Sequence, residues 1–497
     1  MELDKQPLQV HAADQNAAVP IPSSATKKPK SDGITDSSII ENHGENSFVP
    51  TVGRWGSEWP RGTEQGVLDV TPYHHATTGL NRLDELNLWI CPQRLDEYFD
   101  YSCRRRSPSP PIRYNDNNNT QGSLYELLDK TQVEHVWPED HPLPLPKWHG
   151  TVQKAYKLED AKEYQKLCWE IEIFLQKLLE DLNYDTVDNL LTFYRAYKKW
   201  GNGNLVDFFR SYSPPICPPN LTCVGLALEL WNRLHALDVT FPNLSEYFFI
   251  ASCEEHIESL SEYLSCSENL EAAAYTLEKE HVLLGLKIQI GNRQGILISD
   301  PGYHVGRVVT AMKDGAYPHT GWFTQSDENN LRKEYNYQYS TLNDAFIEWN
   351  TRTVKNDVVQ ESQTALIHIS RAYLTAVDVT ERRNLVYNFK SLLSRDQKGH
   401  LIAGIYFKIK ENCDEFTLFY RDKDKRRVKM KFSDFNNASE MDGKTLLIVN
   451  LCNEQLNLPK DALPHLLREL GNMLQDVTFV SQVLGINNAI GSLTEQY

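Results

Sequence analysis

The chain has 497 residues, with 67 acidic side chains against 51 basic ones and a net charge of −16. That length allows two or three domains, or one large enzyme with a tail, and 24% charged with 10% aromatic residues describes a folding chain rather than a disordered one. The acidic excess argues against nucleic acid, and against an anionic membrane surface, as the main partner.

No apolar, uncharged window reaches the roughly eighteen residues of a transmembrane helix, so no membrane span is expected. The start, MELDKQPLQVHAADQ, lacks a basic region followed by an apolar one, and no secretory signal is expected. Nine scattered cysteines with no C-x-x-C pair disfavour a zinc ribbon, a redox motif or any metal site. They fit a reduced, cytoplasmic setting, in which the Asn220-Leu-Thr222 triplet has no meaning as a glycosylation site.

Residues 1–47 are rich in Ser, Asn, Ala and Pro and read as a disordered tail. The KKPK at 27–30 is a solvated basic tetrapeptide or a nuclear import signal. Residues 48–100 carry Trp55, Trp59, Tyr73 and Trp89 and read as an extended arm packed on the body. RRRSPSPP and the Asn-rich stretch after it make 101–122 a flexible linker, either plain or a phosphorylation and docking segment. A protein partner is expected to use 48–122, if one exists.

A helical subdomain is expected over 123–280. In LEDAKEYQKLCWEIEIFLQKLLEDL the residues Leu167, Ile171, Phe174, Leu175 and Leu178 recur at three- and four-residue spacing. TVDNLLTFYRAYKKW gives a second helix stopped by Gly-Asn-Gly, and NLVDFFRSY a third. SPPICPPN then forbids helix. The next helix starts at Thr222 or Cys223 and runs to about Leu237, with Asn220 or Thr222 as its cap. After 280 the period falls to two. HVLLGLKIQIGNRQGILISD reads as two strands around a Gly-Asn turn. Further strands are expected near 304–311, 365–372, 401–409, 415–421, 427–432 and 446–450. Together they predict a β-barrel over 281–435, followed by a C-terminal α/β lid with closing helices over 436–497. The sum is an α+β fold.

Three residues converge on one chemistry. Cys223 opens a buried helix, where unpaired N–H groups and the positive end of the dipole favour a thiolate. His281 leads a strand, opposite in facing to Val282, Leu284, Leu286 and Ile288. Asp300 ends the return strand. A two-residue turn pairs Ile290 with Arg293, sets Leu283 opposite Asp300, and makes His281 and Asp300 diagonal neighbours on one face. A Cys–His–Asp set lets the imidazole take the thiol proton while the carboxylate fixes the ring. The N–H of Cys223 or of Val224 is a natural oxyanion donor, and the sequence names no second one. The plain readings are a core thiol, a structural histidine and a turn aspartate. Cys217 is a rival nucleophile, and His256, His304 and His319 are rival bases.

The order of helix-Cys, strand-His and strand-Asp resembles the transglutaminase-like and papain-like cysteine superfamily. Within it the chain looks most similar to the arylamine N-acetyltransferases. The residues that carry the likeness are Cys223 in LTCVGLALELWNRL, His281 in EHVLLGLKIQI, Asp300 in LISDPGY and the closing LRELGNMLQDVTFVSQVLGI. It covers about residues 160 to 490. It implies a cysteine-proteinase-like fold and a Cys223–His281–Asp300 catalytic triad. It also implies acetyl transfer from acetyl-coenzyme A, as co-substrate, to a small-molecule amine through an acyl-cysteine. Two alternatives stay open: a thiol hydrolase acting on protein amides, and a catalytically inactive binding protein. No phosphate-cradling glycine loop is evident for the coenzyme. The basic RDKDKRRVKMK, 421–431, is a charged hairpin tip or a phosphate contact.

Overall fold

The structure is a computed structural model, described here for residues 136–493 apart from 202, 217, 219–220, 256, 258, 267–272, 329–330 and 437–441. All the described residues fall in one unit, Phe48–Tyr497. The expected tail, arm and linker, the KKPK and Ser-Pro segments, Cys217, Asn220 and His256 lie outside the described residues.

Helix α1, Ala161–Asp181, begins where the Asp160 carboxylate accepts from the N–H groups of Lys162 and Glu163, and it buries Leu167, Ile171, Leu175 and Leu178. Helix α2, Val187–Trp200, stops at Gly201, whose left-handed φ of 77° ends it. Helix α3, Leu205–Ser211, is capped by Asn204. Helix α4, Cys223–Leu234, is buried at eight of its twelve positions. A short α5 spans Leu260–Cys266 and α6 spans Arg382–Val386. No helix among the described residues is long and apolar enough to cross a membrane.

Strands follow in two sheets. The larger contains β1 (Tyr156–Leu158), β3 (Phe248–Glu254), β4 (His281–Ile290), β5 (Arg293–Ser299), β6 (Val309–Met312), β7 (Phe323–Glu328), β8 (Leu331–Tyr339), β9 (Phe346–Lys355) and β10 (Val358–His368). Its order is β6-β5-β4-β3-β10-β9-β8-β7, with β1 parallel beside β4 and the other pairs antiparallel. It curls until β6 meets β8. The smaller sheet has β2 (Tyr184–Asp185), β11 (Phe389–Arg395), β12 (Leu401–Lys408), β13 (Glu415–Asp422) and β14 (Asp424–Lys431), in the order β14-β13-β12-β11-β2.

Alternation along β4 divides the interior into two cores. Val282, Leu284, Leu286 and Ile288 join α1 and α4 in one apolar cluster, while Leu283 joins Phe249, Tyr337 and Trp349 inside the curl. The architecture is α+β with a curled antiparallel sheet. Three expectations are corrected. The strands expected to form one barrel over 281–435 belong to two sheets. Strand β3 arises inside the segment expected to be helical, because all seven residues of FFIASCE are buried and show no alternation. The strand expected at 446–450 lies inside helix α7, Gly443–Gln455, whose start is capped by Asp442 accepting from Lys444 and Thr445. A short apolar run such as LLIV does not distinguish the two. With α8 (Ala462–Leu474) and α9 (Val477–Gly491), the regular elements in the described part of the expected α/β lid are all helices, and a short 3-10 turn at Phe432–Phe435 precedes them.

Candidate active site

Cys223 is the first residue of α4 and is buried. No acidic side chain stands in the helix's first turn to compete with the dipole there. Thr222 occupies the cap position, and its carbonyl accepts from Leu226 at 2.9 Å. Its hydroxyl, one of the two caps expected, makes no bond to the helix. It donates instead to Glu381, a buried carboxyl that also accepts from Asn189 at 3.1 Å. Asn384, on α6, donates its amide to the Cys223 sulfur at 3.7 Å.

The hairpin has the two-residue turn that the sequence reading requires: Ile290 pairs with Arg293, and the register runs back to Leu284 opposite Ser299. It brings His281 Nε2 to 3.0 Å from Asp300 Oδ2, both side chains buried. The other Asp300 oxygen accepts from the Tyr303 N–H at 2.9 Å. Nδ1 is then the ring nitrogen left for the sulfur. Burial pushes an imidazole down. The Asp300 carboxylate, its hydrogen bond and the Cys223 thiol override that and hold His281 well above its usual value. A Cβ on Gly302 would lie 2.7 Å from Cys223 Cβ and 2.8 Å from His281 Cε1, so only glycine lets the two side chains come this close.

Buried polar residues fix this hairpin. Before His281, Glu278 accepts from Arg383, Lys279 pairs with Glu254 at 2.8 Å, and Glu280 accepts from the Glu255 N–H at 2.7 Å. Beyond Asp300, Arg395 donates to the Pro301 carbonyl and lies 2.9 Å from His304 Nδ1. The Gly399 turn presses on the same loop, where a Cβ would meet the His304 carbonyl at 1.8 Å. Tyr303 stands edge-on to the His281 ring at 4.5 Å and donates its hydroxyl to Glu255. Burial raises that carboxyl to about 7, although His281 opposes the rise.

Cys223, His281 and Asp300 are thus brought together. The rivals differ in setting. His304 faces Arg395 and is held well below its usual value by burial and by that cation, and His319 accepts from Met312 N–H on β6. The basic 421–431 stretch forms the β13–β14 hairpin, at the edge of the small sheet opposite β2. Sequence reading missed Asn384, Tyr184, Glu255, Glu381 and Arg395. Charged and amide groups in the buried ERRN stretch, 381–384, are a compositional signal, yet nothing local ties them to Cys223.

No family model matches the chain, and no curated protein matches it. Among solved structures it is similar to the arylamine N-acetyltransferase from Mycobacterium abscessus. The identity is 8% over 61% of this chain and 87% of that one, with a TM-score of 0.32. A likeness that slight assigns neither family nor activity to the chain.

Proposed function

We propose that the chain is an acyltransferase with Cys223 as nucleophile, His281 as general base and Asp300 as the residue that orients the ring. The observation that carries this reading is the 3.0 Å His281–Asp300 bond beside a cysteine that opens a helix. The imidazole takes the thiol proton, and the thiolate attacks the acyl carbon of a thioester. Acetyl-coenzyme A is the donor we propose. The donor's C–S bond breaks, and its departing thiolate takes the proton back from the imidazolium. A small-molecule amine then attacks the acyl-cysteine. His281 accepts a proton from the amine and returns it to the Cys223 sulfur as that C–S bond breaks, leaving an amide.

Full-length protein mixed with radiolabelled acetyl-coenzyme A should acquire label that survives desalting, and Cys223→Ala should acquire none. Equal labelling of both proteins, or of neither, ends the proposal.

One observation favours a second reading, a binding protein that keeps this arrangement without catalysis. Cys223, His281 and Asp300 are each only 1% exposed, so in this conformation the sulfur is closed to a donor. In that case a small thiol reagent leaves Cys223 unmodified in the native protein, and Cys223→Ser is silent.

A further inference from the structure

A buried hydroxyl with no hydrogen-bond partner stands on the strand tied to the cysteine's own segment. Tyr184, on β2, is fully buried, and its hydroxyl has no hydrogen-bond partner. Buried polar atoms are nearly always paired, and an orphan of this kind calls for a reason. Its position is fixed from two sides. Tyr184 pairs with Leu393 on β11, and it bridges in parallel to Leu221, two residues before the cysteine. The N–H of Asp185 donates to the Leu221 carbonyl at 2.9 Å, tying the same two segments. Burial pushes the phenol well up, and of the neighbouring groups the Cys223 sulfur adds most to that rise. The ring is also held edge-on to His304 at 6.2 Å.

Asn384 approaches the sulfur as a second donor, through the 3.7 Å contact of its amide. Its backbone is pinned by Lys390, whose ammonium donates to the Asn384 carbonyl at 2.6 Å. One donor on α6 therefore touches the sulfur, and a second, on β2, is held on the strand bridged to the residues just before the cysteine. One of them is unsatisfied in the resting fold.

We infer that Tyr184 and Asn384 are the oxyanion donors of the Cys223 site. When an acyl carbon bonds to the sulfur, its carbonyl oxygen gains negative charge within reach of groups already gathered around that atom. The Tyr184 O–H then finds the acceptor that the resting fold denies it, and the Asn384 N–H moves its bond from sulfur to oxygen. Both donors are placed in advance in a dry site, where such bonds act most strongly. This inference rests on the acyl-transfer reading.

The test separates attack at carbonyl carbon from attack at saturated carbon. Acylation by p-nitrophenyl acetate passes through an oxyanion, whereas alkylation by iodoacetamide does not. Both rates at Cys223 are followed by mass spectrometry in the full-length wild type, Tyr184→Phe and Asn384→Ala. Tyr184→Phe should acylate about 100-fold more slowly, with Asn384→Ala similarly impaired and alkylation within threefold of wild type in both. Tyr184→Phe removes an oxygen that holds nothing, so its melting temperature should equal or exceed that of wild type. Unchanged acylation in both variants overturns the inference, and so does a parallel fall in the two reactions. A wild type that is alkylated but never acylated overturns the acyl-transfer reading itself, and this inference with it.

Discussion

His281 has two buried cysteines for neighbours, and they stand in opposite surroundings. Cys253 is its cross-strand partner on β3, inside the curled sheet among Phe249, Tyr337 and Trp349. Burial pushes that thiol well up, and the carboxylates of Glu255, Glu280, Asp300 and Glu254 push it further. Cys223 arrives from the helical side, at the positive end of a helix, with an amide donor on its sulfur. Closeness to a histidine is common to both. What differs is the set of groups that faces each sulfur, and burial with acidic neighbours holds Cys253 as the thiol. A nucleophile is therefore recognised by the whole set of groups facing the sulfur.

The largest effect that can break this comparison comes from the carboxylate both thiols share. Asp300→Asn should leave the hairpin in place and lower the acylation rate at Cys223 by about 10⁴-fold, because an amide both loses the charge and mis-sets the ring. Cys253→Ala should keep wild-type acylation and cost about 1–2 kcal/mol in denaturant unfolding, as a small cavity does. If Cys253→Ala abolishes labelling while Cys223→Ala retains it, the roles of the two thiols are reversed.

The site's framework was legible where it is local in sequence. The helix start at Cys223, the two-residue turn at Gly291-Asn292 and the shared face of His281 and Asp300 follow from period and spacing, and the register agrees with them. Partners supplied from far along the chain were not legible. Asn384 comes from 161 residues beyond the cysteine, and no pattern connects the two. The Tyr335/Tyr337 and Ile347/Trp349 alternations of β8 and β9, with charged and amide residues between, are a further strand signal legible in the sequence. The 446–450 error comes from an apolar run too short to declare its period.

Gly302 sharpens the comparison next, since it stands between Cys223 and His281. Gly302→Ala places a methyl 2.7 Å from one side chain and 2.8 Å from the other, so one of them must move. A shift of that size should lower acylation about 100-fold. Alkylation should fall too, because the base moves away from the sulfur. Acylation at the wild-type rate would mean that the two residues do not act together.

The smallest expected effect concerns pH, and it pairs one carboxyl from each thiol's surroundings. Glu381, bonded to Thr222 beside Cys223, and Glu255, bonded to Tyr303 on the Cys253 side, are both raised by burial to about 7. Each holds its proton more tightly folded than unfolded. The stability this contributes is full below the ordinary glutamate value, and it is lost as pH rises through about 7. Each group accounts for at most about 3 kcal/mol. Melting followed from pH 5 to 8 should therefore decline in wild type and decline less in Glu381→Gln and Glu255→Gln. The two variants part at the histidine. Glu255 interacts with His281, whereas the groups acting on Glu381 are Thr222 and Lys390. Glu255→Gln should thus lower the His281 titration seen by NMR and move the pH profile of acylation the same way, while Glu381→Gln leaves both in place. Equal shifts in the two variants would show that His281 responds to the total charge of the buried cluster, and the distinction between the two sides of the ring would not hold.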